Sequence, residues 1–86
     1  MRLADKVAII TGSASGMGET EARLFCAEGA HVIVADVSVQ DGQRIVMEIN
    51  QQGGSSHFVQ TDVTRESDWQ NLIDEALDRY KKIDVL

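Results

Sequence analysis

Val7-Ala8-Ile9-Ile10-Thr11-Gly12-Ser13-Ala14-Ser15-Gly16-Met17-Gly18 decides the fold of this 86-residue chain. The apolar run 7–10 predicts a strand buried on both faces, and the glycines after it predict a sharp turn into a helix that opens at Gly16. Such a turn aims unpaired backbone N–H groups and the positive end of a helix dipole at one point, where an anion fits. Gly12, Gly16 and Gly18 allow the turn, keep Cβ atoms away from a pyrophosphate, and permit close packing of helix on strand. A purely structural glycine turn is the alternative, and the rest of the chain has to decide between them.

Outward from this stretch, apolar and amphipathic segments alternate. Lys6 to Thr11 is a strand, Gly16 to Glu28 a helix, and His31 to Asp36 a strand. Ser38 to Gln52 carries Ile45, Val46 and Ile49 at helical spacing, and His57 to Gln60 is a short strand. Trp69, Leu72, Ile73, Ala76, Leu77 and Tyr80 form an apolar helical stripe, and Ile83 to Leu86 begins a fourth strand. This β-α-β-α-β-α-β order implies an α/β fold with right-handed crossovers and a parallel sheet covered by helices on both faces. Gly29 and Gly53-Gly54 mark helix ends, while Ser38 and Thr64 stand where N-caps are wanted. No linker, low-complexity tract or second domain interrupts the pattern.

Composition narrows the functions. At 43% apolar and 26% charged, with no proline, the chain is ordinary for a single small globular domain. A net charge of −6 without any Lys or Arg cluster argues against nucleic acid or an anionic membrane as partner. Cys26 has no partner for an internal disulfide, and residues 1–6 lack the apolar core of a secretory signal, so a reducing, cytoplasmic setting is expected.

Asp36 lies 18 residues after Gly18, at the end of the second predicted strand. A carboxylate there can accept hydrogen bonds from both hydroxyls of an adenosine ribose. The alternative is a carboxylate that only solvates a strand end. Asp36 would repel a 2′-phosphate, and its neighbours Val37 and Ser38 supply no compensating cation, so NAD is favoured over NADP. Glu19, in the first helical turn, adds negative charge near the pyrophosphate unless it turns away from it.

The spacing Gly-x-x-x-Gly-x-Gly at residues 12–18, Glu28-Gly29-Ala30-His31-Val32 leading to Asp36, and Thr61-Asp62-Val63-Thr64 after the third strand closely resemble the short-chain dehydrogenase/reductase family. The resemblance covers the whole chain and implies a Rossmann-type sheet in the order 3-2-1-4. It implies that Gly12, Gly16 and Gly18 frame the pyrophosphate, that Met17 offers a backbone N–H beside it, and that Asp36 binds the ribose. Asp62 and Val63 would hold the adenine, with Ser13, Ser15 and Val37 as further members of the cofactor site. Without the family, Asp62 could equally be a turn or capping aspartate beside Thr64.

The same resemblance implies hydride transfer between a nicotinamide and an alcohol or carbonyl substrate, in a homo-oligomeric parent. The family's Asn-Asn-Ala-Gly turn, polarising serine and Tyr-x-x-x-Lys pair do not occur in these residues; Asp84 stands four positions after Tyr80. Residues 1–86 are therefore expected to be the dinucleotide-binding portion of one domain, not catalytic alone, with the catalytic part outside this chain. A free-standing nucleotide-binding or interaction module is the alternative. Tyr80, Trp69 and Phe58 are expected in the core or at its boundary, Cys26 as a packed thiol, and Asp74, Glu75 and Asp78 on a solvated helix face. His31 and His57 have no ligand-spaced partners for a metal. With two helices on one face and one on the other, part of the two-sided sheet is expected to be bare, giving a marginal, association-prone chain.

Overall fold

Three parallel strands and three helices alternate along the chain: β1 (Val7–Thr11), α1 (Gly16–Ala27), β2 (His31–Asp36), α2 (Val39–Gln51), β3 (Ser55–Gln60) and α3 (Glu66–Tyr80). The computed structural model describes residues 3–12 and 16–84. The sheet order is β1-β2-β3, with Val7 opposite His31 and Ala35 opposite Val59, so β2 is central.

The alternation of apolar side chains along the strands splits the core into two layers. Ala8, Ile10, Val32 and Val34 pack with Ala22 of α1 and with Ile45 and Ile49 of α2. Ile9, Ile33, Ala35 and Val59 pack on the other face against Leu72 and Ala76 of α3. The helices thus divide two to one, as expected, but the bare strip does not follow: Val7 and Ile9 of β1 are each only 1% exposed. The reason is geometric. α3 follows β3 at one edge, and its last residue Tyr80 lies on His31 of the central strand. The segment behind it, with Ile83 and Asp84, reaches Val7 at the other edge, so helix and segment together cover this face.

The expected order 3-2-1-4 needs correction at its last member. Among the described residues the sheet has three strands, Ile83 and Asp84 are irregular, and Val85 and Leu86 lie outside those residues. Asp84 nevertheless meets the open edge of β1: its N–H donates to the Val7 carbonyl (2.9 Å), and its Oδ2 accepts the Val7 N–H (2.8 Å). β3 begins two residues earlier than the sequence pattern marks, because Ser55 and Ser56 pair with His31 and Val32 despite their weak strand preference.

Helix ends follow local chemistry. Ser38 caps α2 by accepting the Asp41 N–H (3.3 Å). Gly53, at φ +90°, closes α2: its own N–H reaches the Asn50 carbonyl and that of Gly54 the Ile49 carbonyl. Thr64 does not cap α3; Arg65 occupies the cap position without a side-chain bond. The Thr64 hydroxyl instead donates back to Asp62 Oδ1 (2.6 Å). Gly42 is required for a reason that periodicity does not reveal: a Cβ there would stand 2.0 Å from Cε1 of Phe58, so α2 reaches β3 only through a glycine.

Candidate dinucleotide site

All three strands run in one direction, so the turns that follow them meet at one end of the sheet. β1 ends at Thr11 opposite Ala35, and the Gly12 N–H continues the ladder to the Ala35 carbonyl (2.8 Å). The Thr61 N–H does the same to the Asp36 carbonyl (2.9 Å). Gly12, Asp36 and Asp62 therefore lie at or just past the ends of three neighbouring strands, each step about 4.8 Å.

Gly12 and Gly16 lie at φ +65° and +53°, in the left-handed region that favours glycine. A Cβ on either would meet no atom of the described residues within 4 Å. Gly16, Met17, Gly18 and Glu19 form the first turn of α1, whose N–H groups have no carbonyl one turn earlier in the helix. An anion placed there meets these donors and the helix dipole together. Ser13 and Ser15 lie outside the described residues.

Asp36 is half-buried, and its Oδ1 accepts the Ser38 N–H (3.0 Å). The turn into α2 thereby orients the carboxylate. Three apolar side chains surround this end without covering: Met17 is 79% exposed, Val37 59% and Val63 48%. Asp62 Oδ1 accepts both the Thr64 hydroxyl (2.6 Å) and the Thr64 N–H (2.9 Å), which hold its carboxyl below the usual aspartate range. Its own N–H donates to Asp68 Oδ2 (2.8 Å).

Two supporting residues escape a reading of the sequence. Trp69 packs against the α3-side core as expected, but its indole N–H also donates to the Val63 carbonyl (2.9 Å), fixing the segment that carries Asp62 and Val63. A half-buried tryptophan commonly spends its one donor in this way; the spacing that aims it at Val63 belongs to the turn, not to any pattern. Glu19 turns away from the glycine turn and pairs with Arg23 (2.9 Å) and Arg44 (3.7 Å). Arg23 and Arg44 also hold Glu48, so four charges tie α1 to α2; hydrogen bonding to Arg23 lowers the Glu48 carboxyl and raises the guanidinium in return.

The remaining candidates are structural. Tyr80 stacks on His31 with ring centroids 5.1 Å apart, and His31 Nδ1 lies 2.8 Å from Ser55 Oγ. His57 Nε2 sits 3.3 Å from Glu75 Oε2. Cys26 lines an open hollow of about 560 Å³ at the opposite end of the strands. Burial pushes its thiol up to about 11, so it keeps its proton at neutral pH. Among the described residues no three His, Cys, Asp or Glu side chains are grouped to hold a metal, and no helix is long and apolar enough to cross a membrane.

Comparison with known proteins places this geometry. The family model for short chain dehydrogenase matches residues 6–86. The chain is 41% identical over 85 residues to a cyclopentanol dehydrogenase from Comamonas sp., covering 99% of this chain and 34% of that enzyme. It superposes with a TM-score of 0.96 and 38% identity on the crystal structure of a hydroxysteroid dehydrogenase from Escherichia coli, covering 99% of this chain and 36% of that one. A short chain dehydrogenase/reductase from Burkholderia phymatum, solved in complex with NAD, gives a TM-score of 0.94 at 31% identity, over 99% of this chain and 31% of that one. The chain thus spans about a third of the length of the relatives it matches. With the glycine turn, the parallel sheet and a match over nearly all of its residues in agreement, the chain belongs to the short-chain dehydrogenase/reductase family.

Proposed function

We propose that this chain holds the NAD of an oxidoreductase that moves hydride between the nicotinamide and an alcohol or carbonyl carbon of a small molecule. The observation that carries the proposal is the glycine turn at positive φ, opening α1 beside a carboxylate oriented by the Ser38 N–H. The first-turn N–H groups of α1 receive the pyrophosphate, with Ser13 and Ser15 in the same loop, and Asp36 accepts the ribose hydroxyls. Asp62 and Val63, braced by Thr64 and Trp69, hold the adenine, exposed Val37 gives it apolar cover, and Met17 offers its backbone N–H to the pyrophosphate. When bound, the cofactor supplies the hydride chemistry.

NAD is preferred over NADP because a 2′-phosphate would meet the Asp36 carboxylate. Arg23 and Arg44 offer it little relief, since both are paired with Glu19 and Glu48. The chain alone binds without turning over, for Tyr80 is stacked on His31 and no Tyr-x-x-x-Lys pair is present. Calorimetric titration with NAD and NADP tests this. NAD should bind more tightly, and Asp36→Ala should weaken NAD by roughly 10-fold or more, the scale of a lost hydrogen bond to a charged group. Equal affinity for the two cofactors, or an unchanged NAD affinity in Asp36→Ala, would remove Asp36 from the site. Substrate turnover by the 86-residue chain would refute the division of labour.

A further inference from the structure

β3 is an edge strand, and the way its edge is closed points to a second role for the end of α2. In the parallel ladder, Ser55, His57 and Val59 face β2, so the N–H and C=O groups of Ser56, Phe58 and Gln60 face away from the sheet. The segment Ser-Ser-His-Phe-Val-Gln at 55–60 has no Lys, Arg, Asp, Glu, Pro or Gly. An uncharged edge of this kind is a template for another strand, and edges are ordinarily protected by charge, proline or cover. Here the protection is one carboxamide. The Ser56 N–H donates to Asn50 Oδ1 (2.9 Å), and Asn50 Nδ2 donates to the Ser56 carbonyl (3.1 Å). Both outward groups of the first edge residue are thus taken, in the place where a neighbouring strand would take them. The Ser56 hydroxyl fixes the amide further, also donating to Asn50 Oδ1 (3.0 Å).

We infer that Asn50 is an edge guard: it occupies the pairing groups of Ser56 and so prevents the β3 strands of two copies of this chain from joining. Asparagine suits the task because it offers a donor and an acceptor side by side, as a peptide group does. Its position is set by the α2 C-terminus, where Gly53 turns the chain back so that residue 50 comes to lie beside residue 56.

The test compares four forms of the chain: wild type, Asn50→Ala, the pair Asn50→Ala with Ser56→Pro, and Ser38→Ala as a destabilised control whose change lies away from the edge. Assembly is followed by light scattering and thioflavin fluorescence at matched fractions folded, and amide exchange by NMR. Asn50→Ala should exchange its Ser56 amide about fivefold faster than wild type, the scale of one net hydrogen bond, and assemble severalfold faster than Ser38→Ala. Ser56→Pro removes the outward N–H without removing a ladder bond to β2, so the double variant should return to the wild-type assembly rate. Unchanged exchange at Ser56, Asn50→Ala assembling no faster than Ser38→Ala, or faster assembly that Ser56→Pro fails to reverse would each overturn the inference.

Discussion

At the N-terminal ends of the strands polar groups tie distant segments to one another, whereas at the C-terminal ends they mostly brace their own turns, Asp36 taking the Ser38 N–H and Asp62 the Thr64 hydroxyl and N–H. The first end joins the Val7 N–H and C=O to Asp84, the His31 N–H to the Lys6 carbonyl (2.8 Å), and the His31 ring to Ser55 and Tyr80. The helix ends above it are sealed as well, with the Ala30 N–H on the Phe25 carbonyl (3.0 Å) and the Gly54 N–H on that of Ile49 (3.0 Å). The second end gathers the starts of α1, α2 and α3, two glycines at positive φ, and exposed Met17, Val37 and Val63. The parallel sheet itself creates the asymmetry. Every helix that follows a strand begins at the same end, so the positive helix termini collect there while the carbonyl-rich termini collect at the other. One end can then be tied together by hydrogen bonds, around the open hollow that Cys26 lines, and the helix N-termini of the other left to an anionic ligand.

Substitutions should respect this division. The largest effect is expected from Gly54→Ala at the tied end, where a Cβ would stand 2.6 Å from Ile49 Cγ2 and 3.1 Å from the Ile49 carbonyl oxygen. Overpacking of this kind costs about 1–3 kcal/mol, to be read from urea unfolding, while the NAD affinity of the folded fraction stays at the wild-type value. A loss of affinity at unchanged stability would show that the ends are not separable. Tyr80→Leu comes next: it keeps the apolar contact with the α3-side layer and removes the ring stacked on His31. About 1 kcal/mol of stability should go with it, again without change in NAD binding. Unaltered stability in Tyr80→Leu would mean that the stack adds nothing beyond the contact leucine retains.

The two ends were not equally legible in the sequence. Glycines at 12, 16 and 18 followed by Asp36 can be read from spacing because backbone conformation and charge are properties of single residues. Strand direction, the two-to-one division of helices and the Ser38 cap follow likewise from periodicity and local chemistry. What stays hidden depends on where side chains arrive after folding. Thr64 looks like a cap but is drawn back to Asp62, Trp69 looks like core but braces Val63, and Asn50 looks like any polar residue at a helix end until Gly53 reverses the chain. The expected bare sheet face failed for a related reason, since the cover that Ile83 and Asp84 add beyond the end of α3 is not written in the helix's stripe. Phe58 opposite Gly42 belongs to the same class, a contact between two segments that no periodicity links.

Acid offers the smallest effect and the most direct contrast, because each end carries a carboxylate held below its ordinary range by a backbone N–H that it accepts. Asp84 is lowered chiefly by the Val7 N–H it accepts, with Lys82 assisting, and Asp62 chiefly by the Thr64 hydroxyl and N–H. A carboxyl whose folded pKa is depressed binds fewer protons in the folded chain than in the unfolded one. Its contribution to stability is therefore complete above the unfolded value of about 4 and fades as the pH falls through the lower folded value. Both side chains are solvent-screened, so the slopes are shallow. Asp84→Asn should flatten the acid limb of the stability curve and leave the acid dependence of NAD affinity as it is in wild type. Asp62→Asn should flatten the same limb and, in addition, change the acid dependence of NAD affinity, because its carboxylate belongs to the end proposed to receive the adenine. If Asp84→Asn altered the binding profile as strongly as Asp62→Asn, the tied end would be communicating with the other through β1, and the separation drawn from their geometry would fail.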